Sequence, residues 1–125
     1  MMRFGAKQTV LLVHDDPAIL FFVAKLFVRD EYNILTASSG ADGIRQSREF
    51  RYQIDLLFSD CQMSGMSGID LANAITLERP GLKVLLMSGY PKSKLPAMNQ
   101  GWSFVEKPFV MSKLRTTVVN LFSTP

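Results

Sequence analysis

The segment VLLVHDDP at residues 10–17 joins a buried strand to the start of a helix. Val10 to Val13 form a continuous apolar run too short for a helix, which is typical of a strand buried on both faces. Asp16 then offers an N-cap carboxylate, and Pro17 suits the first helical position because no amide hydrogen is left unpaired there. The next apolar residues fall at helical spacing, namely Ile19, Phe22, Val23 and Leu26. The segment therefore predicts one strand–helix unit.

The same alternation of apolar runs and helical periodicity extends over the rest of the chain. It predicts further strands at Tyr32 to Ala37, Ile54 to Ser59, Leu82 to Met87 and Ser103 to Glu106. It also predicts a helix from a Ser39 cap to about Phe50, one carrying Ile69, Ala72 and Ile75, and a last one carrying Leu114, Val118, Leu121 and Phe122. Pro91 and Pro96 leave room only for a short or distorted helix before the fifth strand. The pattern predicts an α/β fold, a doubly wound five-stranded parallel sheet with helices on both faces.

Composition bounds the classes of function. The chain has 125 residues, 47% hydrophobic and 20% charged, so we expect one domain over residues 1–125 with a sizeable core. No apolar run approaches the roughly 18 residues of a membrane span, and the single Cys61 cannot form an internal disulfide. We therefore expect a cytoplasmic protein without a membrane partner. The net charge of +3 is dispersed along the chain, which disfavours direct binding of nucleic acid.

Polar side chains stand where the predicted strands end. These are His14, Asp15 and Asp16 after the first strand, Asp60 after the third, Ser88 after the fourth and Lys107 after the fifth. In a parallel sheet the carboxyl ends of the strands form one edge, which is where sites in such folds lie. Crowded carboxylates repel one another unless a cation lies among them. We therefore expect Mg²⁺ at this edge, because it is a hard ion that prefers oxygen ligands.

This combination of groups suits phosphoryl transfer. The Asp60 carboxylate can act as a nucleophile toward phosphorus and form an aspartyl phosphate. Mg²⁺ and Lys107 can neutralise charge on the transferring group, and Ser88 can donate a hydrogen bond to one of its oxygens. Cys61, beside the acceptor, is expected to serve packing rather than redox chemistry.

Four motifs, each at the end of a predicted strand, together resemble the response-regulator receiver domain of two-component signalling. They are HDDP from His14, D-x-x-M with a glycine-rich loop from Asp60 to Gly68, MSGY ending at Tyr90, and EKPF from Glu106. The resemblance covers nearly the whole chain. It implies a CheY-like, flavodoxin-like three-layer sandwich with strand order 2-1-3-4-5.

The resemblance also implies roles for single residues. Asp60 would be the phosphoacceptor, with Asp15, Asp60 and the backbone carbonyl of Gln62 as ligands of Mg²⁺. Ser88 would hold the phosphoryl group in the activated state and Lys107 would contact it, with a cis peptide at Pro108. Phe104 stands at the aromatic switch position, although an aromatic residue on a short strand is commonly core alone. The implied partners are a sensor histidine kinase or histidine phosphotransfer protein, and a downstream protein or a fused output domain.

The sequence departs from the family pattern in three places. His14 stands where the family usually has an acid, and Asp16, one place later, is expected to cap a helix. A histidine there removes a negative charge, which should weaken Mg²⁺ binding, although His14 could itself be a metal ligand or a structural residue. Ser64 replaces a proline of the loop after Asp60. The stretch from Tyr90 to Gly101 is short.

Two other functions compete with a phosphorylated switch. A phosphatase with an aspartyl-phosphate intermediate would need an acid two residues after the nucleophile, where Gln62 stands, so we expect no enzyme. A degenerate receiver would serve as an unphosphorylated protein-docking domain, for which His14 and Ser64 are the reasons. The leading interpretation is a phosphoacceptor that receives a phosphoryl group from a histidine kinase onto Asp60 and switches a partner-binding surface.

Overall fold

A parallel sheet forms the centre of the molecule. The computed structural model describes residues 2–95 and 101–123. The strands are β1 (Thr9–Val13), β2 (Asn33–Ala37), β3 (Leu56–Asp60), β4 (Lys83–Ser88) and β5 (Ser103–Glu106). Their order in the sheet is β2-β1-β3-β4-β5, and every neighbouring pair is parallel. The predicted topology is confirmed.

Four helices in the described part of the chain cover the two faces of the sheet. They are α1 (Pro17–Arg29), α2 (Gly40–Glu49), α3 (Gly68–Glu78) and α4 (Met111–Ser123). Side chains on a strand alternate between the two faces, so β1 and β3 contribute to both cores. Leu11 and Leu57 pack with α3 residues such as Ile75, whereas Leu12 and Phe58 pack with α1 and α4. Both central strands are buried along their whole length.

Side-chain caps fix where the helices begin. Asp16 accepts hydrogen bonds from the amides of Ala18 and Ile19, so its carboxylate serves as the N-cap of α1. Ser39 caps α2 by accepting from the Asp42 amide, and Ser67 caps α3 in the same way. Each cap satisfies an amide that has no partner within its helix. The expected caps of α1 and α2 are confirmed.

The strand boundaries differ from the sequence prediction by one or two residues. β3 begins at Leu56 and not at Ile54. Just before it, the Asp55 amide donates to the Thr9 carbonyl, but the Thr9 amide donates to the side-chain Oδ2 of Asp55 and not to a backbone carbonyl, so the strand ladder is not yet regular there. At its other end β3 includes Asp60, and β4 likewise includes Ser88. Both of these site residues are therefore held by strand hydrogen bonds.

The connection from β4 to β5 lacks a long helix in the part described. A single 3₁₀ turn spans Lys92–Lys94, in agreement with the short or distorted helix expected after Pro91. Pro96, on which that expectation also depended, lies outside the described residues. Among residues 2–95 and 101–123, no helix is long and apolar enough to cross a membrane.

Gly68 places the start of α3 directly against the end of β3. Its amide donates to the Cys61 carbonyl, and a Cβ atom here would lie 2.0 Å from the carbonyl oxygen of Asp60.

We expect Gly68→Ala to lower the free energy of unfolding by about 1–3 kcal/mol, because the helix must shift away from the strand. Urea denaturation measures the change. Gly81→Ala is the matched control, since nothing lies within 4 Å of its added Cβ, and its effect should stay within about 0.5 kcal/mol. Equal effects of the two substitutions would contradict this close approach.

Candidate functional site

The parallel strands bring the predicted site residues to one edge of the sheet. Across β1 and β3, Val13 is in register with Ser59, so His14 and Asp60 end neighbouring strands. Ser88 is in register with Glu106, the residue before Lys107. Because all the strands run the same way, their carboxyl ends meet at this edge. The expectation that these side chains lie close together can therefore be tested by distance.

Asp60 and Lys107 form an ion pair at the centre of the edge. Lys107 Nζ lies 2.7 Å from Asp60 Oδ1, and the Asp60 side chain is only 5% exposed. Oδ1 nevertheless has no aligned hydrogen bond within the described residues, so the contact is mainly electrostatic. A buried carboxylate needs such compensation, since transfer of an isolated charge out of water is costly. Asp60 Oδ1 is therefore held in place, its charge is partly neutralised by Lys107, and it remains available to form a new bond.

His14 lies beside this pair and is buried. Its Nε2 is 2.8 Å from Lys107 Nζ and 3.8 Å from Asp60 Oδ1. On the other side of the ring, Nδ1 accepts a hydrogen bond of 3.0 Å from the Asp16 amide. Burial lowers the pKa of His14 below its ordinary value; Asp60 opposes this shift and Lys107 adds to it. Burial therefore favours the neutral imidazole.

Asp15 supplies a second carboxylate at the mouth of the site. It is exposed, its Oδ2 accepts from the Ser64 amide at 3.2 Å, and its Oδ1 lies 3.6 Å from His14 Nδ1. Possible ligand atoms of His14, Asp15 and Asp60 all lie within 4.8 Å of one another. The two carboxylates fit a small divalent cation with oxygen ligands. The Asp16 carboxylate caps α1 and is not among these ligand atoms, although the Asp16 backbone amide contacts His14.

The Ser88 hydroxyl forms a hydrogen bond with the side chain of Gln62, which the sequence does not predict. The Ser88 hydroxyl donates to Gln62 Oε1 at 2.7 Å and accepts from the Tyr90 amide at 2.9 Å. The sequence had pointed only to the backbone carbonyl of Gln62. The one available signal was its place two residues after Asp60, which does not reveal a contact with β4. Ser88 must break its bond to Gln62 before it can donate to another acceptor.

The remaining predicted residues lie around this edge. Phe104 is half-buried and packs against the core on the α2–α3 side of the sheet, next to Leu86 in the strand register. The Lys107–Pro108 peptide is cis. Cys61 is buried, and burial raises the pKa of its thiol to about 11, so it is uncharged at neutral pH. A packing role for Cys61 agrees with this environment.

Comparison with known proteins now identifies the family. The response regulator receiver domain family matches residues 10–119. This chain belongs to that family. It is 34% identical over 102 residues to the transcriptional regulatory protein GlrR of Escherichia coli, and 31% identical over 118 residues to the sensor kinase CckA of Brucella abortus. These alignments cover 79% and 91% of this chain but only 22% and 12% of the two relatives, so the chain spans about a fifth or less of their length.

A solved receiver has the same fold. The response regulator protein TrrA from Thermotoga maritima, determined in complex with Mg(2+)-BeF, superposes with a TM-score of 0.80 at 25% identity. The match covers 91% of this chain and 98% of that one. The flavodoxin-like receiver fold is therefore confirmed.

The replacement of an acid by His14 has a measurable consequence for this receiver. We expect His14→Asp to raise the affinity for Mg²⁺ about fivefold or more, because an added carboxylate near a partly exposed ion contributes roughly 1 kcal/mol or more. Isothermal titration calorimetry with Mg²⁺ alone measures the change. Asp16→Asn is the control: it removes a carboxylate that caps α1 and keeps a good capping residue, so it should alter the affinity little. An unchanged affinity in His14→Asp would contradict a metal-facing position for residue 14.

Proposed function

We propose that this receiver accepts a phosphoryl group on Asp60 from a phosphohistidine donor and converts the new charge into a change of surface. The observation that carries the proposal is the buried Asp60 carboxylate, whose Oδ1 lies 2.7 Å from the Lys107 ammonium at the carboxyl edge of the sheet. This arrangement supports the chemistry of the acceptor.

The transfer forms one bond and breaks another. A carboxylate oxygen of Asp60 attacks phosphorus, the bond between phosphorus and the donor's imidazole nitrogen breaks, and that nitrogen keeps the electron pair. Lys107 remains close to the reacting carboxylate and stabilises negative charge on the phosphoryl oxygens. The product is an aspartyl phosphate, and Asp60 serves as nucleophile without general-base help. The chain is thus a phosphoacceptor rather than an enzyme acting on a separate substrate.

Mg²⁺ fits this proposal through the oxygen atoms of the site. Asp15, Asp60 and the backbone carbonyl of Gln62 would hold the ion, and it would neutralise phosphoryl charge during transfer. The close approach of the Asp15 and Asp60 carboxylates supports this assignment. The solved complex of TrrA with Mg(2+)-BeF supports it by similarity.

The donor is proposed to be a sensor histidine kinase or a histidine phosphotransfer protein. An apolar cavity of about 660 Å³ lies between α1 and the start of α4, and Lys107 and Pro108 form part of its wall. Phe22 lines it and is 59% exposed, with Phe21 beside it at 65%. A protein that delivers a phosphoryl group to Asp60 must cover Lys107, and therefore this cavity. Similarity to a region of the sensor kinase CckA agrees with a kinase pathway.

The wider setting of the domain follows from its relatives. We infer that residues 1–125 form one receiver domain, acting in the cytoplasm on a downstream protein or a fused output domain. GlrR is a transcriptional regulatory protein and CckA a sensor kinase, and each is several times longer than the part that this chain matches. A receiver can therefore belong to either kind of pathway.

Asp60 can be tested directly as the acceptor. With acetyl phosphate and Mg²⁺, we expect one phosphoryl group to add to the protein, because Asp60 Oδ1 lies in contact with Lys107 and close to Asp15. Intact-mass spectrometry measures the addition, and Asp60→Asn should abolish it. Asp70→Asn is the control, since Asp70 lies on the exposed face of α3. Labelling that persists in Asp60→Asn would remove Asp60 from the role. An unlabelled native chain would indicate the docking function instead.

The switch can be tested through Ser88 and Phe104. A phosphoryl group on Asp60 offers Ser88 a charge-assisted hydrogen bond in place of its bond to Gln62. Such a bond is worth roughly 1.5–3 kcal/mol, enough to shift a two-state population about tenfold. We expect Ser88 to move toward Asp60 and Phe104 to turn into the vacated space. NMR spectra recorded with and without beryllofluoride should show both residues changing together.

Substitution separates this switch from phosphorylation itself. Ser88→Ala should leave Phe104 in its resting state when beryllofluoride binds, while acetyl phosphate still labels Asp60. Ser103→Ala makes the same chemical change on β5, in register with Leu85, and should keep the coupling. A single Phe104 rotamer in both states of the native chain would rule out this route.

A further inference from the structure

The hydrogen bond to one side of His14 determines what its other side offers to the site. The Asp16 amide always carries a hydrogen, and it donates to Nδ1 at 3.0 Å. Nδ1 must therefore present a lone pair. A neutral imidazole has one N–H, so the proton lies on Nε2. The ring is buried, and the His14 backbone amide is itself held by the Ala37 carbonyl at 3.2 Å.

That Nε2–H group points into the phosphoacceptor site. It lies 2.8 Å from Lys107 Nζ and 3.8 Å from Asp60 Oδ1. The ammonium can only donate, so its contact favours a lone pair on Nε2, whereas the Asp16 amide favours a lone pair on Nδ1, and a neutral ring cannot accept at both nitrogens. A backbone amide cannot turn away, whereas the long Lys107 side chain can direct its N–H groups to Asp60 Oδ1 instead, so we take the amide as the contact that sets the tautomer. Both nitrogens lie near Asp60 Oδ1. An additional anionic oxygen in this region would accept from both donors.

The same hydrogen bond argues against His14 as a metal ligand. Ligation through Nε2 requires a lone pair there, and then the proton must lie on Nδ1. Nδ1 faces the Asp16 amide hydrogen, so a proton on it would oppose another donor. A lone pair at both ring nitrogens would require an imidazolate. The ring is therefore oriented to donate into the site.

We propose that His14 donates a hydrogen bond from Nε2 to an oxygen of the phosphoryl group on Asp60, so that His14 and Lys107 hold this group together. The proposal rests on the proposed function of Asp60 as phosphoacceptor. It assigns His14 a direct binding role in place of the acid whose position it occupies. Phosphoryl oxygens are strong acceptors, and a bond between such an oxygen and a buried N–H is of the charge-assisted kind.

NMR of the imidazole tests the proposal cleanly because the chain has a single histidine. In a ¹⁵N-labelled protein at neutral pH, long-range proton–nitrogen correlation should show the proton on Nε2 and a lone pair on Nδ1. Addition of beryllofluoride with Mg²⁺ should move the Nε2 proton downfield, and Mg²⁺ alone should leave Nε2 protonated. A proton on Nδ1, loss of the Nε2 proton on adding Mg²⁺, or an unmoved Nε2 proton in the bound state would each overturn the proposal.

Two amide substitutions give an independent measurement. The side chain of His14→Gln can place its NH₂ near the position of Nε2, whereas His14→Asn reaches only as far as Nδ1. We expect His14→Gln to bind beryllofluoride, followed by ¹⁹F NMR, about tenfold or more tightly than His14→Asn. Both variants lose the buried ring, so urea denaturation will show whether their stabilities match. Comparison is made at a temperature where both are fully folded.

The experiments distinguish failure of the proposed role of His14 from failure of the proposed function of Asp60. If the native chain binds beryllofluoride and is labelled at Asp60, but His14→Gln and His14→Asn bind equally, the role of His14 is wrong and the phosphoacceptor function stands. If the native chain neither binds beryllofluoride nor is labelled by acetyl phosphate, both are wrong. Tighter binding by His14→Gln, together with an Nε2 proton that moves on binding, supports both.

Discussion

The ion pair between Asp60 and Lys107 is the interaction on which the site depends. A carboxylate this deeply buried is unfavourable unless a cation compensates it, and the compensating ammonium comes from a distant part of the chain. Asp60 ends the central strand β3, whereas Lys107 follows the edge strand β5. Their contact therefore requires β3, β4 and β5 to pair in this order. The proposed acceptor role of Asp60 therefore depends on correct folding of the sheet.

The base of the site is rigid, whereas its rim is made of exchangeable hydrogen bonds. β1 and β3 are buried throughout and packed on both faces, so the ends that carry His14 and Asp60 have little freedom. The rim contacts are different in kind. Ser88 with Gln62, and Asp15 with the Ser64 amide, are single hydrogen bonds between groups that a ligand can replace. A new anion at Asp60 can thus rearrange the rim while the sheet keeps its shape.

Periodicity predicts the strands and the parallel sheet, whereas the order of the strands is predicted by the resemblance to the receiver family. Apolar runs predict the strands, and the rule for parallel sheets places Asp60, Ser88 and Lys107 at one edge. The side-chain partners could not be predicted. The Ser88 bond to Gln62 and the approach of His14 to Lys107 join residues 26 and 93 positions apart, and they depend on rotamers that packing selects. The hydrogen bond to His14 Nδ1 likewise depends on a local backbone geometry, which places the Asp16 amide against the ring.

A neutral donor in place of an acid changes the electrostatic balance of this receiver in two opposite directions. A third carboxylate beside Asp15 and Asp60 would attract a divalent cation more strongly, but it would also repel the phosphoryl group that must approach Asp60. A neutral His14 avoids that repulsion and, in the proposed tautomer, would present an N–H toward the approaching anion, while it attracts the ion less than a carboxylate would. Lys107 then becomes the only fixed positive charge in contact with the acceptor among the residues described. In the proposed function, more of the stabilisation of the phosphoryl group would then come from the chain itself and less from bound metal.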